Sequence, residues 1–163
     1  MKKNILFTFI VFMLTTTTLF SQGFKNARTT QILKFPTSEI VTEGKARIYL
    51  IRTNKTLRNY SVTAYLNHKV IGTIGPKSYL LFEVDSNREI VIGTAYIGNS
   101  ERKKNVENQE FVTVNPKSGK TYFIGVKAKF GTFRGRTEMT VLNKKEAEKM
   151  IPKFKKPKIN YIE

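Results

Sequence analysis

The sequence predicts an all-β domain of about seven or eight strands followed by a short C-terminal helix. From Ala46 onwards, short segments rich in β-branched and aromatic residues alternate with turn residues at intervals of about 8–12 positions. Past Leu142 the apolar period changes from two residues to that of a helix. Removal of the predicted signal peptide leaves about 140 residues, which is enough for one domain with its own core.

Four strands are predicted in the first half of the domain. Each segment alternates apolar and polar residues and is bounded by turn residues such as Asn67 and Gly75. The second and third segments are joined by a tight connection, so we expect a hairpin there. The predicted strands span residues 46–52, 61–66, 70–74 and 79–84.

Four more strands are predicted at residues 89–97, 110–114, 121–130 and 136–142. Gly93 inside the first of these indicates a bulge or a bend. Alternation places Phe130 on the same face as the core residues of its strand. The predicted core includes Val62, Leu80, Phe82, Ile124, Val126 and Val141.

One long connection between strands differs from the short turns. Residues 98–109 are charged and have no hydrophobic face. Loops of this composition run over the surface, so we predict a mobile loop between the fifth and sixth strands.

The C-terminal helix is predicted from its cap and its apolar side. Asn143 and Glu146 have the spacing of a capping box. Ala147 and Met150 fall on one side of the helix, together with Ile151. Proline cannot continue a helix, so the helix is expected to end at Pro152.

The β-domain is predicted to span residues 45–152, between an N-terminal arm and a basic C-terminal tail. The arm, residues 23–44, has mixed polarity and no sustained period, with a short strand expected at residues 40–42. The tail, residues 153–163, is rich in lysine.

Residues 1–22 have the parts of a secretory signal peptide. Lys2 and Lys3 form the positive start, an apolar run follows from Ile5, and a small-x-small pattern follows that run. A transmembrane anchor is the alternative, but it needs ~20 apolar residues, and four threonines interrupt the run. The sequence therefore predicts export to the periplasm or the exterior, a mature chain that begins near Gln22 or Phe24, and no transmembrane segment in that chain.

The chain has no cysteine and only one histidine. The lack of thiols excludes a disulfide framework, a thiolate metal site and a cysteine nucleophile. It also excludes the lipobox cysteine of a lipoprotein, so no lipid anchor is predicted. A zinc site needs three or four ligands, and no Gly-rich phosphate loop occurs, so neither a metal nor a cofactor is predicted.

The charge is strongly positive, with 29 Lys and Arg against 12 Asp and Glu. Cleavage of the signal peptide removes two lysines and no acid, which lowers the formal charge from +17 to +15. Such a field attracts polyanions, and outside the cytoplasm these are anionic lipids, acidic polysaccharides or stray nucleic acid. The alternative is that the charge serves general solubility.

Candidate catalytic groups are few. His68 lies in a hairpin turn between Asn67 and Lys69, where a histidine is more often a solvated turn residue than a base. Glu83 and Asp85 share a strand face and could act as paired carboxylates, as in glycosidases. The simpler interpretation places both on the solvent side of an alternating strand.

A cluster of cations around Gly131 is the one constellation that suggests binding. If residues 121–130 and 136–142 pair through Gly131, four cations crowd the hairpin tip, with Phe133 at the apex and only Glu138 to offset them. They either hold an anion or protect a strand edge from aggregation. The anion-binding candidates are Lys127, Lys129, Arg134 and Arg136 at the tip, and Lys153, Lys155, Lys156 and Lys158 in the tail.

The chain resembles domain-of-unknown-function family 2846, a bacterial family of small secreted or lipid-anchored β-domains. The matching stretches are residues 46–52 (ARIYLIR), 66–72 (LNHKVIG) and 119–126 (GKTYFIGV), within about residues 45–142 of the chain. The chain departs from the family in its turn at residues 85–88, where Pro-Gly is common, and in lacking the lipobox cysteine. The resemblance implies a compact, prealbumin-like β-sandwich and implies no activity.

Three functions follow as hypotheses. The first is a secreted, non-enzymatic accessory or binding domain of the bacterial cell envelope, whose partner is an envelope component or another protein. The second is a polyanion-binding protein that uses the hairpin tip and the tail lysines. The third is a cryptic hydrolase that uses Glu83, Asp85 or His68.

Overall fold

The computed structural model describes residues 28–96, 109–131 and 135–159. Ten strands in two sheets and two short helical elements form these ranges, so the all-β class and the C-terminal helix are confirmed. The strands are β1 (Thr30–Gln31), β2 (Lys45–Arg52), β3 (Val62–Leu66), β4 (Lys69–Ile74), β5 (Ser78–Asp85), β6 (Ile90–Tyr96), β7 (Gln109–Val114), β8 (Thr121–Phe130), β9 (Gly135–Val141) and β10 (Lys158–Ile159). The helical elements are α1 (Lys144–Met150) and a 3-10 helix (Ile151–Lys153).

Eight of these strands, β2 to β9, are those predicted from alternation, and their bounds differ by no more than one residue at either end. The predicted signal peptide lies outside the described residues, as do residues 98–108 of the predicted mobile loop. The hairpin β3–β4 is confirmed.

The strands form a sandwich-like pair of sheets. Sheet A has six strands in the order β10-β1-β4-β3-β6-β7, and sheet B has four in the order β5-β2-β8-β9. The pairs β2–β8 and β1–β10 are parallel, and the other pairs are antiparallel.

The main core lies between the two sheets. It confirms the predicted burial of five of the six named residues, Val62, Leu80, Phe82, Ile124 and Val126.

The predicted burial of the sixth residue, Val141, is wrong. Its side chain is 70% exposed, and the residue of β9 that is buried in the core is Met139. Strand β9 is an edge strand of sheet B, and its Thr137 and Met139 form hydrogen bonds to sheet A. Val141 lies two residues past Met139, near the end of β9, and its side chain is left largely uncovered.

Phe130 is a second correction. It was expected on the core face, but it is 76% exposed, because it is the last residue of β8 and extends beyond the sandwich.

A second apolar cluster covers the outer face of sheet B. It contains Ile51, Tyr79, Leu81 and Phe123 from the sheet, and Ala147 from α1. Strands β2 and β5 are therefore buried on both faces over most of their length. Alternation assigned this face to solvent, which is wrong for the part beneath the chain ends.

The first and the last strand of the described residues join sheet A. Strand β1 pairs with β4, and β10 pairs with β1, so the limits predicted at residues 45 and 152 are too narrow for the sheets. The short strand expected at residues 40–42 is wrong, and β1 is the strand of this segment.

The cap of α1 is confirmed. The Asn143 side-chain oxygen accepts a hydrogen bond from the Glu146 backbone N–H at 2.8 Å. The α-helix ends at Met150, and the chain continues as the 3-10 turn that contains Pro152.

Two polar side chains link the two sheets by hydrogen bonds at the seams, the two sides of the sandwich where the sheets meet. On one side Gln31, which is fully buried, bonds the Leu81 backbone: its nitrogen donates to the carbonyl at 2.7 Å, and its oxygen accepts from the N–H at 2.8 Å. On the other side the carboxylate of Glu110 accepts from the Met139 N–H at 3.1 Å. These contacts satisfy backbone groups that an edge strand leaves without a partner strand.

Candidate functional site

The two carboxylates considered for hydrolysis are each held in an ion pair. Glu83 accepts hydrogen bonds from the guanidinium of Arg47, at 2.8 Å and 3.2 Å, and from the hydroxyl of Thr42 at 2.5 Å. Asp85 lies 3.7 Å from the ammonium of Lys45 and is mostly exposed. The interpretation that placed both on the solvent side is right for Asp85 and wrong for Glu83, whose side chain is only 11% exposed.

The guanidinium of Arg47 that pairs with Glu83 also holds the N-terminal arm on sheet B. Its guanidinium also donates to the carbonyls of Ser38, Glu39 and Ile40, at 2.8–3.0 Å. A buried pair of this kind that also satisfies backbone groups is a structural clamp. The Arg47–Glu83 pair therefore fixes the arm.

This clamp predicts an acid-dependent loss of stability. Burial by itself would raise the pKa of Glu83, but hydrogen bonds from Thr42 and Arg47 outweigh it and hold the pKa below its ordinary value of 4.5. Because the folded-state pKa is the lower one, the stabilisation is complete above the unfolded value and is lost as the pH falls through the folded one. We expect the excess stability of wild type over Glu83→Gln to shrink as the pH falls below about 4.5.

Urea unfolding of both proteins between pH 7 and pH 3 measures this difference, with the same change at the exposed Glu89 as the control. A difference between wild type and Glu83→Gln that stays constant over that range would contradict the ion-pair interpretation.

His68 has a packing role. It is exposed in the β3–β4 turn with φ 65°, and its ring lies 5.5 Å from the ring of Phe111. Phe111 itself covers Gly93, where an added Cβ would come within 2.6 Å of the ring. Gly93 is therefore required for close approach of an aromatic ring. The bulge predicted there is wrong, because both ladders of β6 run through Gly93 without a register shift. The register shift lies between Ala64 and Tyr65, where β3 pairs with β4. No carboxylate among the described residues pairs with His68.

The hairpin tip is partly neutralised. In the β8–β9 ladder Lys129 lies opposite Arg136, and Lys127 lies opposite Glu138. Lys129 forms an ion pair with Glu138, and the hydrogen bond from Lys129 lowers the pKa of that carboxyl. Lys127 and Arg136 are exposed, and Arg134 lies outside the described residues.

The edge-protection alternative stays a hypothesis for these lysines. Strand β8 lies between β2 and β9, but its pairing with β2 ends at Val126, so on that side Lys127 and Lys129 have no partner strand among the described residues. Lys127 and Lys129 lie on its outer face, beyond the part that α1 covers.

Backbone hydrogen bonds hold the segment that carries the tail lysines against the two sheets. The Lys155 N–H donates to the Lys77 carbonyl at 3.1 Å, and Lys155 forms a parallel bridge with Ser78. The Lys158 N–H donates to the Thr29 carbonyl at 3.0 Å. The segment reaches this position because Phe154 packs in the outer cluster of sheet B, after Pro152 has ended the helix.

A buried hydroxyl network supports this arrangement from within. The side-chain oxygens of Thr29 and Ser78 contact one another, and both residues are buried. Both also bind Gly75: its N–H donates to the Thr29 hydroxyl at 2.7 Å, and the Ser78 hydroxyl donates to its carbonyl at 2.8 Å. The backbones that carry the cations are therefore tied together by directed hydrogen bonds.

We name this surface the basic corner and define it as Arg28, Lys77, Lys155, Lys156 and Lys158. All five residues are exposed, and none forms an ion pair within the described part of the chain. Their segments, residues 28–34, 72–82 and 152–159, contain no acidic residue. Lys153, also exposed, lies just before the corner in the 3-10 helix.

Sequence reasoning found Lys155, Lys156 and Lys158 but missed Arg28 and Lys77. Neither has a distinctive motif around it, and each joins the corner only because β1 and β5 place its backbone beside the C-terminal segment. Strand pairing across more than 70 positions leaves no local signal.

The fold and this surface define a sandwich-like β-domain with an exposed basic corner. Comparison with known proteins adds no further class: no family model matches the chain, and no curated protein matches it. The resemblance to family 2846 stays a prediction.

Two further observations limit the chemistry of the described residues. They contain no group of three or more His, Cys, Asp or Glu side chains placed to hold a metal ion. None of the helices in these ranges is long and apolar enough to span a bilayer.

Proposed function

We propose that this protein is an exported, non-enzymatic accessory domain of the bacterial cell envelope, and that it acts by binding an anionic envelope component. The observation that carries the proposal is the basic corner, where five exposed cations lie on adjoining segments and form no ion pair with an acid among the described residues. In a mature chain of formal charge +15 these cations add to a field that draws anions toward the protein.

The buried and the exposed cations have different roles, and this difference supports the proposal. Arg47 and Arg52 are buried and donate to backbone carbonyls, so they serve the fold. The exposed lysines of the corner donate no side-chain hydrogen bond to another described residue, so their ammonium groups are available to a partner.

Binding is favoured over hydrolysis by what the candidate catalytic groups contact. Glu83 is bound by Arg47 and Thr42, Asp85 faces Lys45, and His68 packs against Phe111. A general base needs an orienting partner and a free path to the substrate. These contacts give each group a structural role, and they support a domain that binds.

The proposal predicts salt-dependent binding to a polyanion. We expect the mature protein to be retained by immobilised heparin or polyphosphate at an ionic strength of about 0.15 M, and retention to fall steeply as salt rises, because released counterions must be recaptured. A size column without charged groups gives the reference elution volume. Elution of the protein with unretained neutral proteins at low salt, together with no binding to anionic vesicles, would contradict an anionic partner.

Export is tested separately. We expect mass spectrometry of the native protein to show a new N-terminus between Gln22 and Phe24, because the signal peptide would be cleaved there. An intact Met1 in the exported fraction would overturn the prediction, and a full-length protein confined to the cytoplasm would remove the envelope from the proposed function.

We also propose the finer fold class, a prealbumin-like sandwich, on the resemblance to family 2846. Superposition of an experimental structure on prealbumin-type domains tests it. A strand order that cannot be aligned with those domains would leave the coarser description, two packed sheets, in place.

A further inference from the structure

We propose that the basic corner is a binding site for a linear polyanion, a polymer that carries phosphate, sulfate or carboxylate groups along an extended chain. This inference rests on the proposed function and specifies its site and ligand class. Four features of the described residues support it: the hydrogen-bonded backbones that carry the cations, the lack of acids in the segments of the corner, the lack of exposed large apolar side chains there, and the extended form of the C-terminal segment.

The cations of the corner come from three separate segments that backbone hydrogen bonds hold together. Lys155 is tied to Lys77, and Lys158 is tied to Thr29, the residue after Arg28. A site assembled in this way needs less ordering on binding than lysines on a free tail would need, which favours affinity.

Within the described residues no acid compensates the charge of the corner. The nearest acid along β5 is Glu83, five residues beyond Ser78, and its carboxylate is already bound by Arg47. At the hairpin tip, by contrast, Glu138 neutralises Lys129. Within the described residues the corner is therefore less neutralised than the tip, which favours the corner as the anion site.

The described residues of the corner include no exposed large apolar side chain, which favours a polymer over a bilayer. The large hydrophobic side chains that the described residues expose are Ile40, Val70, Phe111, Phe130 and Val141, and none belongs to the corner. Stable attachment to a bilayer combines basic residues with buried apolar surface. A solvated polymer needs only cations that match its charges.

The C-terminal segment is extended and carries two lysines that are two residues apart. An extended chain advances about 3.3 Å per residue, so Lys156 and Lys158 stand roughly 7 Å apart along the segment. Lys77 and Arg28 lie on the chains that flank it. A row of cations with flanking cations fits an extended chain of anionic groups rather than a single small anion.

Three double variants of the mature protein test the site. The corner variant carries Lys155→Glu and Lys158→Glu, and the tip variant carries Lys129→Glu and Arg136→Glu. The control carries Lys117→Glu and Lys120→Glu, two exposed lysines near the start of β2, at the end opposite the corner. All three change the net charge by the same amount, so differences between them report position.

Affinity for polyphosphate and for heparin is measured against salt concentration, beside binding to vesicles of phosphatidylglycerol. We expect the corner variant to lose tenfold or more in affinity and to show a shallower salt slope by about one unit per lost contact. The control and tip variants are expected to lose less than about threefold. Melting temperatures verify folding, and Lys155→Gln with Lys158→Gln replaces the corner variant if charge reversal prevents folding.

The outcomes separate this inference from the proposed function. No binding of wild type to any anionic probe would overturn the proposed function itself. Equal losses in all three variants, or a loss confined to the tip variant, would overturn the corner as the site while polyanion binding stands. Binding to vesicles but to neither polymer would overturn the ligand class in favour of a membrane surface.

Discussion

Replacement of Phe82 by alanine is expected to lower the free energy of unfolding by about 3–5 kcal/mol. Phe82 is 1% exposed and lies between the sheets, opposite Ile48 in the β5–β2 ladder. Truncation removes the transfer free energy of the ring and leaves a cavity that two packed sheets cannot readily close.

Phe130 provides the matched control, because the same substitution there removes a ring that is 76% exposed. Phe130→Ala is expected to change stability by no more than about 0.5 kcal/mol. Chemical denaturation of both variants at pH 7 measures the difference. A loss of only a few tenths for Phe82→Ala would mean that the faces of β5 are assigned the wrong way round.

Replacement of Arg52 by methionine is expected to cost about 3–5 kcal/mol, since hydrogen bonds to charged groups contribute about 1.5–3 kcal/mol each and several are lost together. Arg52 is fully buried, and its guanidinium donates to the carbonyls of Tyr60 at 2.6 Å, Thr56 at 2.7 Å, Leu57 at 3.1 Å and Ile74 at 3.2 Å. These bonds tie the loop after β2 to the end of β4.

Lysine at this position is expected to recover only part of the loss, because a single ammonium cannot reach carbonyls that the planar guanidinium spans. Arg58→Met in the same loop is the control, since Arg58 is exposed. A local measurement accompanies the global one: the Tyr60 amide, which donates to Leu57 at 3.0 Å, should exchange its hydrogen faster in Arg52→Met. Equal stability of the Arg52 and Arg58 variants would contradict the role assigned to Arg52.

The strands, the turns and the helix cap were predictable because each depends on residues close together in the chain. Alternation in residues 121–130 matches β8 at both ends, and Asn143 caps α1 through Glu146 as the capping box requires. Burial of Phe82 and Val126 follows from the same alternation, since one face of a strand in a two-layer domain is turned to the other sheet.

The failures share one cause, which is that they depend on what lies beside a strand. Val141 and Phe130 alternate correctly and yet are exposed, because an edge position and a strand end leave them uncovered. Tyr79 and Leu81 are buried on the face predicted to meet solvent, because α1 and the chain ends pack there. Alternation indicates which residues share a face, and it carries no information on what covers that face.

The candidate site also combines residues that were predictable from the sequence with residues that were not. Its lysine-rich segment was identified from composition, but Arg28 and Lys77 join it only because Lys77 and Thr29, the residue after Arg28, form hydrogen bonds to residues more than 70 positions away. The cations at Gly131, which looked stronger in the sequence, lose part of their field to the Lys129–Glu138 pair.

The sequence by itself determined that this is an all-β chain with eight main strands, a capped helix, no thiol chemistry and a large positive charge, because composition and local periodicity carry that information. The tertiary structure alone decided which cations are exposed, form no ion pair within the described residues and lie on adjoining segments. Gln31, Arg47 and Arg52 look ordinary in the sequence, and they become buried clamps only when distant backbones meet them. The physical reason is that ion pairs, seams and shared surfaces form between segments remote in the chain, where no local pattern records the partner.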